Sequence, residues 1–204
     1  MIIDPKDTPF VSFSHFMNSV ILPRPIAFVT TVSPDGRPNA APFSWYCGLA
    51  VRPPLIGVSL SPREGQPKDT LRNVRATPEF VVNVVTAAMA EQVVRASGDW
   101  PAEVNELALV GLTALPSDLV RPPRVAESPV NLECRLEREI ALGESTFIVG
   151  EILRAHVRDE VLIEGRVDVV ELDPLGRLGG SGFTKLGELL RLPRPKVERT
   201  PSPG

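Results

Sequence analysis

The sequence predicts a mainly antiparallel β fold: a sheet closed on itself, with a few peripheral helices. Three observations carry that reading. Asp35-Gly36 lies between the apolar run 26–32 and a second extended stretch over 37–47, and this dipeptide supplies the positive φ that a tight hairpin needs. A second hairpin is encoded where an alternating strand over 130–140 turns at Leu142-Gly143-Glu144-Ser145 into a strand over 146–158. The helical segments are too few and too short to act as crossovers between parallel strands.

The chain has 204 residues, 43% hydrophobic and 23% charged, enough apolar material for one sizeable core. A single domain is expected over residues 1–192, followed by a proline-rich tail over 193–204. With 22 basic against 25 acidic residues and a net charge of −3, nothing favours binding to a polyphosphate backbone, and nucleic acid is excluded as a partner. Cys47 and Cys134 are far apart and in no metal-type spacing, so they read as reduced, packed thiols. No basic segment followed by an apolar one opens the chain, and no run approaches the ~20 apolar residues a bilayer requires. A soluble, cytoplasmic protein without a membrane segment is expected. The 22 prolines exceed the average share of ~5% and predict rigid turns and few long helices.

Between the hairpins, further elements follow in order. Strands are predicted over 55–61 and 80–86. The second of these, Phe80-Val81-Val82-Asn83-Val84-Val85-Thr86, is apolar on both faces and belongs in the middle of a sheet. A short helix fits 68–76. Met89, Val93 and Ala96 opposite Glu91 and Arg95 predict an amphipathic helix over 87–97, and 105–111 fits another. In 130–140, Val130, Leu132, Cys134, Leu136 and Ile140 face one side and mainly charged residues the other, the pattern of a half-buried strand. The proline-rich segment 116–129 reads as a covering loop.

Absences narrow the chemistry. With only His15 and His156, no Gly-x-Ser-x-Gly, no His-Glu-x-x-His and no P-loop, the chain lacks the materials of a nucleophilic triad, a zinc hydrolase or an NTPase. If it is an enzyme, a cofactor carries the reaction. Lys68, Asp69 and Thr70 open a helix just after a strand, where unpaired N–H groups, an ammonium and a hydroxyl together suit one phosphate; the same residues would equally serve as an ordinary helix cap. Asn39-Ala40-Ala41-Pro42-Phe43-Ser44-Trp45 is a strand of small residues with a proline, which admits a planar ligand close to the backbone or marks a plain sheet edge. Gly176 to Gly182 has the wrong glycine spacing for a dinucleotide fold. Arg154, His156 and Arg158 share one strand face.

Taken in series, these segments resemble the flavin reductase-like FMN-binding family, which includes the flavoredoxins. The resemblance rests on Pro23-Arg24-Pro25-Ile26-Ala27-Phe28-Val29-Thr30-Thr31, Asp35-Gly36, Asn39-Ala40-Ala41-Pro42-Phe43-Ser44, Pro53-Pro54-Leu55-Ile56 and Lys68-Asp69-Thr70-Leu71-Arg72-Asn73. It continues through Glu79-Phe80-Val81-Val82-Asn83-Val84, Gly150-Glu151-Ile152 to His156, and Leu175-Gly176-Arg177-Leu178-Gly179-Gly180.

The resemblance implies an FMN-binding split β-barrel of antiparallel, Greek-key type that forms a homodimer, with FMN near the subunit interface. It puts the flavin phosphate at Lys68 and Thr70, helped by Ser59 and Ser61. Asn39, Ala41, Ser44 and Trp45 would border the cofactor, Phe183 would approach its ring, and His156 would orient the donor. The implied activity is hydride transfer from NAD(P)H to flavin, with a monooxygenase or redox protein as possible partner. The alternatives are an electron carrier that keeps its FMN and does not turn over NAD(P)H, and a ligand-binding barrel without redox chemistry. The chain departs from the family pattern at Trp45-Tyr46-Cys47 and at Phe183, which has no hydroxyl where a tyrosine is common.

Overall fold

Seven antiparallel strands make one continuous sheet in the computed structural model, which describes residues 1–195. They are β1 (Ala27–Val32), β2 (Pro38–Phe43), β3 (Tyr46–Val51), β4 (Pro54–Leu60), β5 (Glu79–Val84), β6 (Val130–Leu142) and β7 (Ser145–Val157). Their hydrogen-bonded order is β2-β1-β5-β6-β7-β4-β3. The expected tail over 193–204 lies, from residue 196 onward, outside the described residues.

The stretch 37–47, read from sequence as one strand, is two. It breaks at Ser44 and Trp45 into β2 and β3, which occupy opposite edges of the sheet. A flat sheet of this width would hold its edges about 29 Å apart. The three Cα steps from Phe43 to Tyr46 span at most about 10 Å. The sheet therefore has to curl until its edges nearly meet.

The hydrogen-bonded ladder still stops short of the closure expected from sequence, leaving a seam between β2 and β3. Chemistry at the β2 edge explains why. Pro42 has no N–H to donate, and the Ala40 N–H, which faces away from β1, is taken by the Glu106 carboxylate at 3.1 Å. No donor is left on those positions for another strand.

Curling separates two cores. Ala27 and Val29 point inward with Phe43, Val58, Phe80, Val82, Cys134 and Ile148. Ile26 and Phe28 point outward, where Met89, Val93, Leu107 and Val110 cover them. This explains why β1 is buried along its whole length and why β5 reads as apolar on both faces.

Asn83, the polar residue within that apolar run, is satisfied on every side. Its amide donates to Phe28 O at 3.0 Å, and its oxygen accepts from Val125 N and Asn131 Nδ2, both at 2.9 Å. Those bonds fasten the segment 116–129 over the barrel, as expected of a covering loop.

The α-helices are α1 (Phe10–Val20), α2 (Asp69–Ala76), α3 (Ala90–Ala96), α4 (Glu106–Val110) and the single turn α5 (Val169–Leu172). In α4, Asn105 caps the start by accepting from Ala108 N, and Gly111 ends it at φ 76°, the expected N-cap and C′ residues. α1 was not legible in the sequence. No side-chain cap marks its start and none of its residues is buried, although Phe10, Phe13, Phe16, Met17 and Val20 fall on one face. Among the described residues no helix is long and apolar enough to cross a membrane.

Gly150 sits at a register shift between β6 and β7, and a Cβ there would overlap the fully buried Phe80 ring. Gly150→Ala is expected to destabilise the fold by about 1–3 kcal/mol through overpacking, measured as a lowered midpoint in urea unfolding.

Candidate functional site

A groove of about 900 Å³ runs between α1, the start of α2 and the β6–β7 turn, within the size range of small-molecule sites. Trp45, Ser59, Ser61 and Lys68 line it, with Phe13 and Met17 of α1 opposite. A recess of about 300 Å³ opens on the other side of Lys68 and is lined by Asn39, Ala41, Lys68 and Thr70. Ser44 and Phe183 border a third hollow, which shares Pro42 with the recess. The residues expected to hold the cofactor are thus spread around β2 and the start of α2 over three hollows, the first two sharing Lys68 and the last two Pro42.

Lys68 is the N-cap of α2 and makes no side-chain cap bond. The tight turn Arg63–Gln66, with Glu64 and Gly65 at φ 48° and 74°, presents it. Its Nζ lies 5.4 Å from the centre of the Phe43 ring. Desolvation, reinforced by Arg63, pulls its pKa below the usual lysine value. Arg63 pairs with Asp99, whereas Lys68 pairs with no carboxylate among the described residues. A cation at a helix start, beside open backbone N–H groups and paired with no carboxylate among the described residues, is a place for an anion.

Thr70 behaves differently from its sequence reading as a phosphate donor. It is 1% exposed, and its hydroxyl donates inward to Asn39 Oδ1 at 3.2 Å. Asn39 also accepts from Thr31 Oγ1 at 3.2 Å and donates to Glu106 Oε1 at 2.8 Å. Asn39 and Thr70 therefore form the floor behind Lys68, a buried polar network that holds α2 against β1 and β2.

Arg24, quoted above only as part of a motif, proves to be a hub. It is buried, donates to the carbonyls of Asn18, Ile21 and Leu178 and to Ser44 Oγ, and its guanidinium lies 5.9 Å from the Trp45 ring centre. Arg177 stands opposite it in strand register and 4.5 Å from the Phe183 ring centre. Neither forms an ion pair among the described residues, so the aromatic walls of the site are backed by positive charge. The pattern Pro23-Arg24-Pro25 is the only signal sequence offered for this role.

His156 is not brought to this site. It lies ten residues along β7 from Thr146, which lines the groove, roughly 30 Å for an extended strand. There its Nε2 meets the buried Glu133 Oε1 at 2.6 Å. Glu133 also accepts from Asp118 N at 2.9 Å and Leu119 N at 2.7 Å. The neighbouring arginines are spoken for: Arg154 pairs with Asp118 at 2.6 Å and Arg158 with Glu160 at 2.8 Å. The contacts His156 makes here are those of a residue fastening the covering loop.

With this geometry in place, comparison with known proteins identifies the class. The flavin reductase like domain family matches residues 17–172, and the chain belongs to that family. It is 42% identical, over 88% of its length and 89% of the relative's, to an uncharacterised protein of Halalkalibacterium halodurans. Its structure is similar to nitrilotriacetate monooxygenase component B from Bacillus cereus, with TM-score 0.91, 33% identity and 94% and 98% of the two chains covered. A chain from Shewanella frigidimarina described as having a split barrel domain aligns with TM-score 0.83 at 24% identity, covering 95% and 99%. That description agrees with the curled sheet and its seam.

Burial pushes the Glu133 carboxyl up, but the bonds from Asp118 N, Leu119 N and His156 outweigh it and hold the pKa below the usual carboxylate value. A depressed folded-state pKa contributes stability that is present above the unfolded value and lost as pH falls through the folded one. Glu133→Gln is therefore expected to cost about 1–3 kcal/mol near neutral pH. The difference from wild type should shrink below about pH 4, the range in which an unfolded glutamate protonates, as read from urea unfolding at both pH values.

Proposed function

We propose that the chain binds FMN, with the flavin phosphate at Lys68 and the open N–H groups of the α2 start, and works as an NAD(P)H-dependent flavin reductase. The observation that carries this reading is the unpaired Lys68 ammonium at a helix N-terminus, on the wall of a groove large enough for a mononucleotide. The residues present fit the group: a cation and backbone donors for the phosphate, the indole of Trp45 and the ring of Phe183 for a planar ring system, and small residues at Ala40, Ala41 and Ser44 where that ring would approach the backbone.

Bound FMN would supply the redox step, taking up a hydride from the nicotinamide and passing electrons onward. The protein's share is binding, orientation and electrostatics. Lys68 neutralises the phosphate. Arg24 and Arg177, whose side-chain donors are anchored on carbonyls, hold positive charge behind Trp45 and Phe183, which favours a ring system that gains negative charge on reduction. Ser59 and Ser61 offer hydroxyls along the groove wall. A monooxygenase component as the recipient of reduced flavin is in keeping with the B. cereus neighbour.

A homodimer belongs to the same reading. α1 buries none of its residues, and the edge strand β3 leaves Leu49 and Val51 exposed; these apolar surfaces, of which α1 lines the groove, suit a second copy. The expected mass in solution is twice the 22.2 kDa of the chain, by light scattering after gel filtration.

The purified protein should be yellow or become so with added FMN, and NADH or NADPH should bleach the flavin band without oxygen. Bleaching by neither would favour the electron carrier, and failure to bind FMN would refute the assignment. Lys68→Ala should weaken FMN binding by about 1.5–3 kcal/mol, the value of a charge-assisted hydrogen bond, in a fluorescence titration; an unchanged dissociation constant would remove the phosphate from Lys68.

A further inference from the structure

Glu106 is a buried carboxylate, 7% exposed, that touches none of the cations of the site. Burial, with Asp69 adding to it, pushes its pKa above the usual range, against the bonds from Ala40 N and Asn39 that favour the charged form. A buried charge that costs stability calls for a role that an apolar residue could not fill.

Its two oxygens divide the work. Oε2 accepts the Ala40 N–H at 3.1 Å, and Oε1 accepts the Asn39 amide at 2.8 Å. A carboxylate has no proton to donate, so it fixes which way the Asn39 amide faces. The Asn39 oxygen must then turn to the hydroxyls of Thr31 and Thr70, each at 3.2 Å. Thr31 in turn accepts from Asn73 Nδ2 at 3.0 Å. Through these bonds α2 is held at Thr70, in its first turn, and again at Asn73.

We propose that Glu106 is a positioning residue for the anion site: by orienting Asn39 it holds the first turn of α2, and with it Lys68, where the flavin phosphate docks. The proposal rests on the phosphate assignment to Lys68. It adds that the precision of the site comes from a carboxylate on α4, on the far side of β2, and that this precision concerns the phosphate rather than the ring. Glutamine has the same size but must present an N–H to either the Ala40 N–H or the Asn39 amide, setting donor against donor or reversing Asn39.

The test titrates FMN and riboflavin, which lacks the phosphate, separately into the wild-type chain, Glu106→Gln and Lys68→Ala, following flavin fluorescence. Glu106→Gln is expected to weaken FMN about five- to tenfold and to leave riboflavin within about twofold, so that preference for the phosphorylated ligand falls. Equal weakening of both ligands, or no change in either, alongside a selective loss in Lys68→Ala, would overturn the role of Glu106 while leaving the anion site intact. No loss in Lys68→Ala would overturn the site itself. Should Glu106→Gln fail to fold, Thr70→Val breaks only the bond by which Asn39 holds the first turn of α2 directly; it is expected to show the same selective loss, and an unchanged preference would sink the proposal.

Discussion

The two-residue step through Ser44 and Trp45 constrains the whole molecule. It requires strands at opposite edges of a seven-stranded sheet to lie two residues apart in sequence and, where they join, at most about 10 Å apart in space. The curl that results creates an inside and an outside, so β1 and β5 must be apolar on both faces, and two cores form where a flat sheet would have one. It also leaves the β2 edge facing a seam, where Pro42 and the Glu106 carboxylate remove the donors on which another strand would build.

That same edge is where the candidate site lies. A strand poor in side-chain bulk, from Asn39 to Ser44, leaves space beside its backbone; the α2 start, pinned through Thr70 and Asn73, brings Lys68 to that space. The cations are held in different ways. Among the described residues Lys68 has neither a carboxylate nor a hydrogen-bonded anchor, and Arg24 and Arg177 are tied to carbonyl oxygens that orient them without cancelling their charge. A region with a surplus of fixed positive charge and two aromatic walls suits a planar anionic ligand, in agreement with the family to which the chain belongs. His156 belongs to a different construction, the fastening of the covering loop at the other end of β7, where Glu133 gathers two backbone N–H groups and an imidazole.

Much of this was legible in the residues. Asp35-Gly36 and Gly143 mark hairpins because positive φ is cheap only for a few residue types, and both turns form where they stand. The double-faced apolar run at Phe80 reports a central strand because burial on both sides leaves no polar face to alternate. Helix ends at Asn105 and Gly111 are local chemistry and were equally readable. α1 escaped although Phe10, Phe13, Phe16, Met17 and Val20 recur at helical spacing, because no side-chain cap marks where it starts. The break at Ser44 escaped because a strand that stops and one that continues to the opposite edge of a curled sheet have the same local composition.

The sequence by itself determined most of the strand content, the hairpins and the family, since these depend on backbone preferences, periodicity and short motifs. Only the tertiary structure decided which of the candidate site residues face the ligand space and which stand behind it. Thr70 turns its hydroxyl inward, Arg24 becomes a hub, Glu106 reaches across β2 and His156 lies a strand's length away. Hydrogen-bond partners distant in sequence are chosen by how the sheet curls, and no local pattern records that choice.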